Sequence, residues 1–219
     1  MVSQSRRLSS PPIIEAVLDL DCDLPPNLEI EKLQGPAKDC FESEYPDFQT
    51  RYAFEHQIKT QGEAPPETAS RRDFHGYLFR REDRTQLVQV RTAGFSFNRL
   101  APYSTLHDYL EEIERTWRLY RGIAQPSQIR MVRLRYINKL KLPMPGGKTN
   151  LEEYLKVGPR LPDEDNLTFC GFFNQHLAVE SGTNNDLKII LTSQKPEDGK
   201  LPVLLDITAA SGESLDPED

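Results

Sequence analysis

Cysteine is scarce in this chain: Cys22, Cys40 and Cys170 are the only three in 219 residues, and no two share a C-x-x-C spacing. That arithmetic argues against a disulfide framework and a structural zinc site, and predicts three reduced, mostly buried thiols. Long apolar runs are missing as well. No window approaches the roughly eighteen uninterrupted apolar residues that a transmembrane helix needs, so no membrane association is expected. Arg6 and Arg7 are not followed by an apolar stretch of signal-peptide length, because Glu15 and Asp19 interrupt Ile13 to Leu20. A cytoplasmic protein is the expectation. His56, His75, His107 and His176 are scattered without H-x-x-x-H or H-E-x-x-H spacing, no G-x-S-x-G occurs, and no cysteine lies near a patterned histidine. Gly146-Gly147-Lys148-Thr149 lacks the leading half of a phosphate loop and reads as a turn, so no cofactor is predicted. The net charge of −7 argues against wholesale nucleic-acid binding but does not exclude a local basic face.

What the chain does have is a cationic strand. In Ile129 to Leu142, Val132, Leu134, Tyr136, Leu140 and Leu142 share one parity, while Arg133, Arg135, Lys139 and Lys141 share the other. No acidic residue interrupts it. An extended chain here presents apolar groups on one face and cations on the opposite face.

The remaining pattern is a series of strands with few helices. Ile13 to Cys22 alternates as a strand and is stopped by Pro25-Pro26. Asn27 is the expected cap of a helix carrying Leu28, Leu33, Ala37, Phe41 and Tyr45, kinked or split at Gly35-Pro36. Tyr52 to Ile58 alternates, and Gln61 to Arg71 is a polar loop. Strands are predicted near Phe74 to Arg81, Gln86 to Thr92 and Gly94 to Leu100. A helix follows with the stripe Leu106, Tyr109, Leu110, Ile113, Trp117 and Tyr120, acids early, arginines late, and Gly122 at its end. The cationic strand comes next, then a short helix capped by Asn150 with Glu153 three residues on. Strands near Leu167 to Glu180, Leu187 to Ser193 and Val203 to Ala209 complete the pattern.

This order predicts an α+β fold of two related β-α-β(3-4)-α units sharing an antiparallel sheet with helices on one face. It is the element order of a TATA-binding-protein-like pseudo-duplication; a helix-grip fold is the alternative. The expected division is a disordered leader over 1–10, a first unit over 11–124, a second over 125–210 without its closing helix, and a disordered acidic tail over 211–219. A second unit lacking that helix leaves apolar sheet surface for a partner protein or a second subunit.

Several ordered pieces carry a resemblance. They are Pro11-Pro12-Ile13-Ile14-Glu15-Ala16-Val17, Gly76-Tyr77-Leu78-Phe79, Gln89-Val90-Arg91, and Gly94 to Tyr103 (Gly-Phe-Ser-Phe-Asn-Arg-Leu-Ala-Pro-Tyr). Trp117-x-x-Tyr120, Arg133-x-Arg135-Tyr136-Ile137-Asn138 and Leu204-Leu205-Asp206-Ile207 follow. Together they resemble a sporadically distributed prokaryotic family of proteins of unknown function. The resemblance implies a cytoplasmic prokaryotic protein and transfers no catalytic residue, since the family has no established activity.

Three function classes follow. A non-enzymatic binding or protein-interaction module would use the sheet face, with Asn98, Arg99, Tyr103, Arg133, Arg135, Asn138 and Lys139 as contact candidates. A metal-dependent phosphodiesterase-type hydrolase would use Glu15, Asp19 and Asp206. An antitoxin-like or host-defence partner is the third. The acids Glu15, Asp19, Asp21 and Asp23 share a parity on the first strand. The reading preferred to a metal site sets them beside Arg133, Arg135, Lys139 and Lys141 as a charge ladder, each pair worth about 0.2–1 kcal/mol. Single-stranded nucleic acid is disfavoured as a ligand, because Tyr136 falls on the apolar parity rather than among the cations.

Overall fold

A computed structural model of the chain describes residues 10–59, 67–156 and 170–218; the side chains of residues 54–59 and 67–72 lie outside that description. The protein is an α+β fold built on one large antiparallel sheet. Its strands are β1 (Ile13–Asp23), β2 (Asp47–Lys59), β3 (Glu67–Arg80), β4 (Gln86–Arg91), β5 (Gly94–Leu100), β6 (Gln128–Pro143), β7 (Phe173–Val179), β8 (Asp186–Ser193) and β9 (Lys200–Ser211). They lie in the order β2-β3-β4-β5-β1-β6-β9-β8-β7. The α-helices among the described residues are α1 (Gln34–Phe41), α2 (Leu110–Ala124) and α3 (Leu151–Tyr154). None is long and apolar enough to cross a membrane.

The chain divides into two compact units. One, here the β6–β9 unit, comprises Met1–Leu18, Arg99–Asp108 and Val132–Gly212; the other, the β2–β5 unit, comprises Asp19–Asn98, Tyr109–Met131 and Glu213–Asp219.

In the β2–β5 unit, Phe41, Tyr45, Phe79, Val88, Val90, Phe95 and Tyr120 are almost wholly buried. The aromatics form contacts rather than a loose cluster: Phe41 lies 5.4 Å from Phe79, and Phe95 lies 5.4 Å from Tyr120 between ring centroids. Each ring so buried contributes about 1.5–3 kcal/mol by area. Helix α2 presents Ile113, Thr116, Tyr120 and Ala124 to this core, the spacing of one helical face. Thr116 fits there because its hydroxyl donates back to the Glu112 carbonyl at 2.7 Å. Leu110, expected on the buried stripe, is exposed, because α2 begins only there and a 3-10 turn over Leu106–Tyr109 precedes it. The helix also runs past Gly122. Gln125, at φ 47°, makes the left-handed end, and its N–H donates to Arg121 O.

The first helix starts as a 3-10 turn at Ile30–Leu33 that runs straight into α1. Gly35-Pro36, expected to kink or split it, lies in the first turn of α1, where proline's missing N–H costs no helix bond. Asn27 is not the cap; Glu29 precedes the turn with no side-chain cap bond. Asn150 does cap α3, accepting from Glu152 N. The predicted loop over Gln61 to Arg71 is shorter at its C-terminal end, since β3 begins at Glu67. Backbone pairing with β2 (Lys59↔Glu67 through Glu55↔Arg71) extends β3 into Glu67 to Arg71, where there is no apolar alternation. Residues 61–66 lie outside the described residues, as do 167–169 of the strand expected before Glu180. Near the C-terminus, Leu215 and Ile129 exchange two backbone hydrogen bonds at 3.0 Å, and Trp117 Nε1 donates to Pro217 O.

Among the cysteines, Cys22 alone is fully buried; Cys40 is half-buried and Cys170 exposed, so the expectation of mostly buried thiols holds only for the first. Burial, helped by the neighbouring Asp21 charge, pushes the Cys22 thiol up to about 12.

A half-buried acid, Glu112, ties α2 to the loop after α1. The wholly buried Tyr45 donates its hydroxyl to Glu112 Oε1 at 2.5 Å, and Arg115 donates to both Glu112 oxygens at 2.8 Å. Burial alone raises the Glu112 carboxyl, but the hydrogen bonds from Arg115 and Tyr45 outweigh it and hold it below its usual range. A depressed acid stabilises the fold above its unfolded value of about 4.3, and that contribution is lost as pH falls through the lower folded value. Glu112→Gln is expected to cost about 1–3 kcal/mol near neutral pH. Its stability should then fall less steeply than wild type below pH about 4, which urea melts across pH check directly.

Candidate functional site

Two polar sheet regions gather the chemistry-bearing side chains, one in each unit. In the β6–β9 unit the register lays the residues out in rows. On the cationic face Arg135 is followed across the sheet by Thr208, Lys188 and Leu177; Arg133 by Ala210, Asp186 and Val179; Lys139 by Leu204, Thr192 and Phe173. The opposite face carries Leu140, Leu142, Leu191, Val203 and Leu205, which pack with Leu151 and Leu155 of the α3 region. The alternation read from the sequence therefore sets the two faces, as period 2 requires.

The cations on that face are matched by acids. Asp206 accepts from Arg135 Nε at 2.9 and 3.0 Å and from its Nη2 at 2.5 Å, a forked pair on adjacent strands. Lys139 lies 2.9 Å and Lys141 3.7 Å from the Glu197 carboxylate, whose exposed carboxyl is lowered by the Lys139 hydrogen bond and charge. At the outer edge the character changes: Phe173, Leu177 and Val179 are 64%, 72% and 58% exposed. A groove of about 550 Å³ beside them is lined in part by Arg133, Leu177, Val179, Lys188 and Thr208.

In the β2–β5 unit the polar region is buried. Every residue of β4 is buried, so Gln89 and Arg91 cannot reach free solvent and need partners. Arg91 Nη2 donates to Asp21 at 3.0 Å and to Phe95 O at 3.0 Å, and lies 3.5 Å from Asp19. Ser96 donates its hydroxyl to Asp19. Gln89 accepts from Arg51 at 3.1 Å and donates to Asn98 Oδ1 at 3.0 Å. His75 lies near this network, and burial, then the Arg51 and Arg91 charges, lower its imidazole against the opposing pull of Asp19.

The sequence candidates thus fall into different roles. Asn98 belongs to the Gln89 network. Asn138 is buried and donates to Leu205 O at 3.1 Å and Tyr136 O at 3.4 Å, which satisfies sheet backbone. Arg99 donates to Pro102 O at 3.3 Å. Tyr103 meets Tyr136 edge-on at 5.6 Å, with the two hydroxyls 3.2 Å apart, so neither ring is an open stacking platform. Arg133, Arg135 and Lys139 share the cationic face. Glu15 is half-buried; Asp19 and Asp206 each lie against an arginine. Among the described residues no group of three or more His, Cys, Asp and Glu could hold a metal ion. Arg91 is the residue the sequence reading missed: the acids of β1 were matched with the cations of β6, and Asp19 and Asp21 meet Arg91, while Asp23 meets Arg130 at 2.8 Å. Its signal was present, a cation in a short strand that carries apolar residues on both faces (Leu87 on one, Val88 and Val90 on the other).

These features define an α+β protein with a polar, charge-matched sheet and an apolar sheet edge. No family model, curated protein or solved structure matches the chain.

Proposed function

We propose that this chain is a non-enzymatic protein-interaction module, a cytosolic one, whose contact surface is the outer edge of the β6–β9 unit. The observation that carries this reading is the exposure of Phe173, Leu177 and Val179 on one face of one strand, in a sheet whose cations Arg135 and Lys139 are already matched by Asp206 and Glu197. Adjacent exposed apolar side chains mark a surface that a protein covers, whereas matched cations have little left for phosphates. The reading includes the duplicated architecture. The order β2-β3-β4-β5-β1 mirrored by β6-β9-β8-β7 is what two related α+β units would give, with one strand fewer in the second.

The test is affinity purification of the tagged chain from its native cell, with wild type and Leu177→Glu side by side. Proteins retained by wild type and lost with the folded variant, an untagged copy of the chain included, support the reading. An identical retained set, or none for either, overturns it.

A further inference from the structure

We infer that the protein seated on the β7 edge is a second copy of this chain, paired antiparallel, β7 to β7, about a twofold axis normal to the sheet. The inference rests on the interaction reading above and names its partner.

Three observations carry it. The first is the missing protection of this edge. Exposed edge strands are ordinarily blunted by charge, proline or bulges. Phe-Asn-Gln-His-Leu-Ala-Val contains no Asp, Glu, Lys, Arg or Pro, and it pairs residue for residue with β8 without a bulge. The strand at the other end of the order, β2, has Asp47 and Arg51 and a register shift at Arg51/Tyr52.

The second is the direction of the backbone groups. Glu180 N bonds Asn185 O and Ser193 N bonds Phe172 O, so the even-numbered residues of this stretch turn their N–H and C=O toward β8. The odd-numbered ones, Phe173, Gln175, Leu177 and Val179, turn theirs away from β8, to an edge that carries no further strand among the described residues. Twofold pairing normal to the sheet keeps each face on its own side and must centre on a residue. Centred on His176, it sets Gln175 opposite Leu177 and Phe173 opposite Val179 of the other copy. All of the outward groups then meet outward groups, closing about eight hydrogen bonds.

The third is shape. Phe173 stands exposed at one end of the strand, and the groove of about 550 Å³ lies at the other, beside Leu177 and Val179 on the same face. Antiparallel self-pairing carries the projecting ring of each copy to the groove of its partner, twice. A knob and a hole at opposite ends of one uncharged strand fit a copy of that strand, with no like charges brought together.

The experiment uses the full chain. Light scattering after size exclusion is expected to give twice the 25.1 kDa chain mass, and Leu177→Lys the single-chain mass with an unchanged circular-dichroism spectrum. Because each copy carries −7, added salt should strengthen the dimer. In a Cys170→Ser background, His176→Cys places two thiols across the axis at a non-hydrogen-bonded pair, roughly 4.5 Å between Cα atoms and within disulfide range. Mild oxidation should convert most of it to covalent dimer, whereas Gln175→Cys, facing Leu177 of the other copy, should give at most a tenth as much. A single-chain mass for wild type at all concentrations overturns the inference, as does a dimer that survives Leu177→Lys or equal cross-linking of the two cysteine variants. If wild type is monomeric yet Leu177→Glu still loses retained proteins in the cell, the interaction reading stands and the second copy falls.

Discussion

Arg91→Met is expected to lower unfolding stability by about 3–5 kcal/mol, which for a chain of this size is about 10 °C in Tm. Arg91 is only 8% exposed and lies between two carboxylates on the same strand face, Asp21 at 3.0 Å and Asp19 at 3.5 Å. The cost is mostly what the substitution leaves behind. Two neighbouring acids lose their common counter-ion in a region too dry to hydrate them fully, and the Phe95 carbonyl loses a donor. Two further variants separate this cause from simple loss of packing. Arg91→Lys keeps the charge but not the fork, so it should fall between wild type and methionine. Asp21→Asn added to Arg91→Met should recover about 0.5–3 kcal/mol, because the pair no longer strands a charge. Urea melts with a common slope report all three. A loss under about 1 kcal/mol for Arg91→Met would mean that the network is solvated and contributes little.

Gly94→Ala should be more damaging still. Gly94 has φ 141°, a conformation L side chains rarely adopt, and a Cβ there would lie 2.1 Å from Leu20 O and 3.0 Å from Cys22 N. Both are backbone atoms of the neighbouring strand, where Cys22 N donates to Ala93 O at 2.8 Å, so neither can swing aside. Relief requires β5 to part from β1. The expected loss exceeds about 4 kcal/mol, seen as aggregation on expression or loss of the cooperative thermal transition. Gly122→Ala is the matched control. It lies inside α2 with nothing within 4 Å of the added methyl, and should stabilise by about 0.5–1 kcal/mol through helix propensity. Equal stability of Gly94→Ala and wild type would overturn the close approach of these strands.

The two variants also bear on the Gly94 to Tyr103 segment singled out from sequence. Its glycine is required by backbone approach, Phe95 and Phe97 by the core, Ser96 by Asp19 and Asn98 by Gln89. Much of that motif is therefore accounted for by folding.

Most strands were legible in the sequence because a half-buried strand must alternate, and alternation survives whatever the strand pairs with. Gly94 to Leu100 is found with the bounds read from the pattern, and the two faces of β6 are those its parity dictates. Helix α2 was legible for the same kind of reason, through its apolar stripe and charge order, with error confined to its ends. The cationic strand could likewise be seen in isolation. Which acids would neutralise it could not, since Asp206, which pairs with Arg135, is 71 residues away in the chain. Counter-ions across a sheet are chosen by register, and register is settled by the core and the turns rather than by the charges themselves. The first residues of β3, Glu67 to Arg71, were hidden because backbone pairing needs no apolar pattern. The sequence alone thus determined which residues form strands and which face each side chain takes, because those follow from local periodicity. Only the tertiary structure decided which strand would stand at the edge with Phe173, Leu177 and Val179 uncovered, because being an edge depends on strand order, and strand order depends on contacts far apart in the chain.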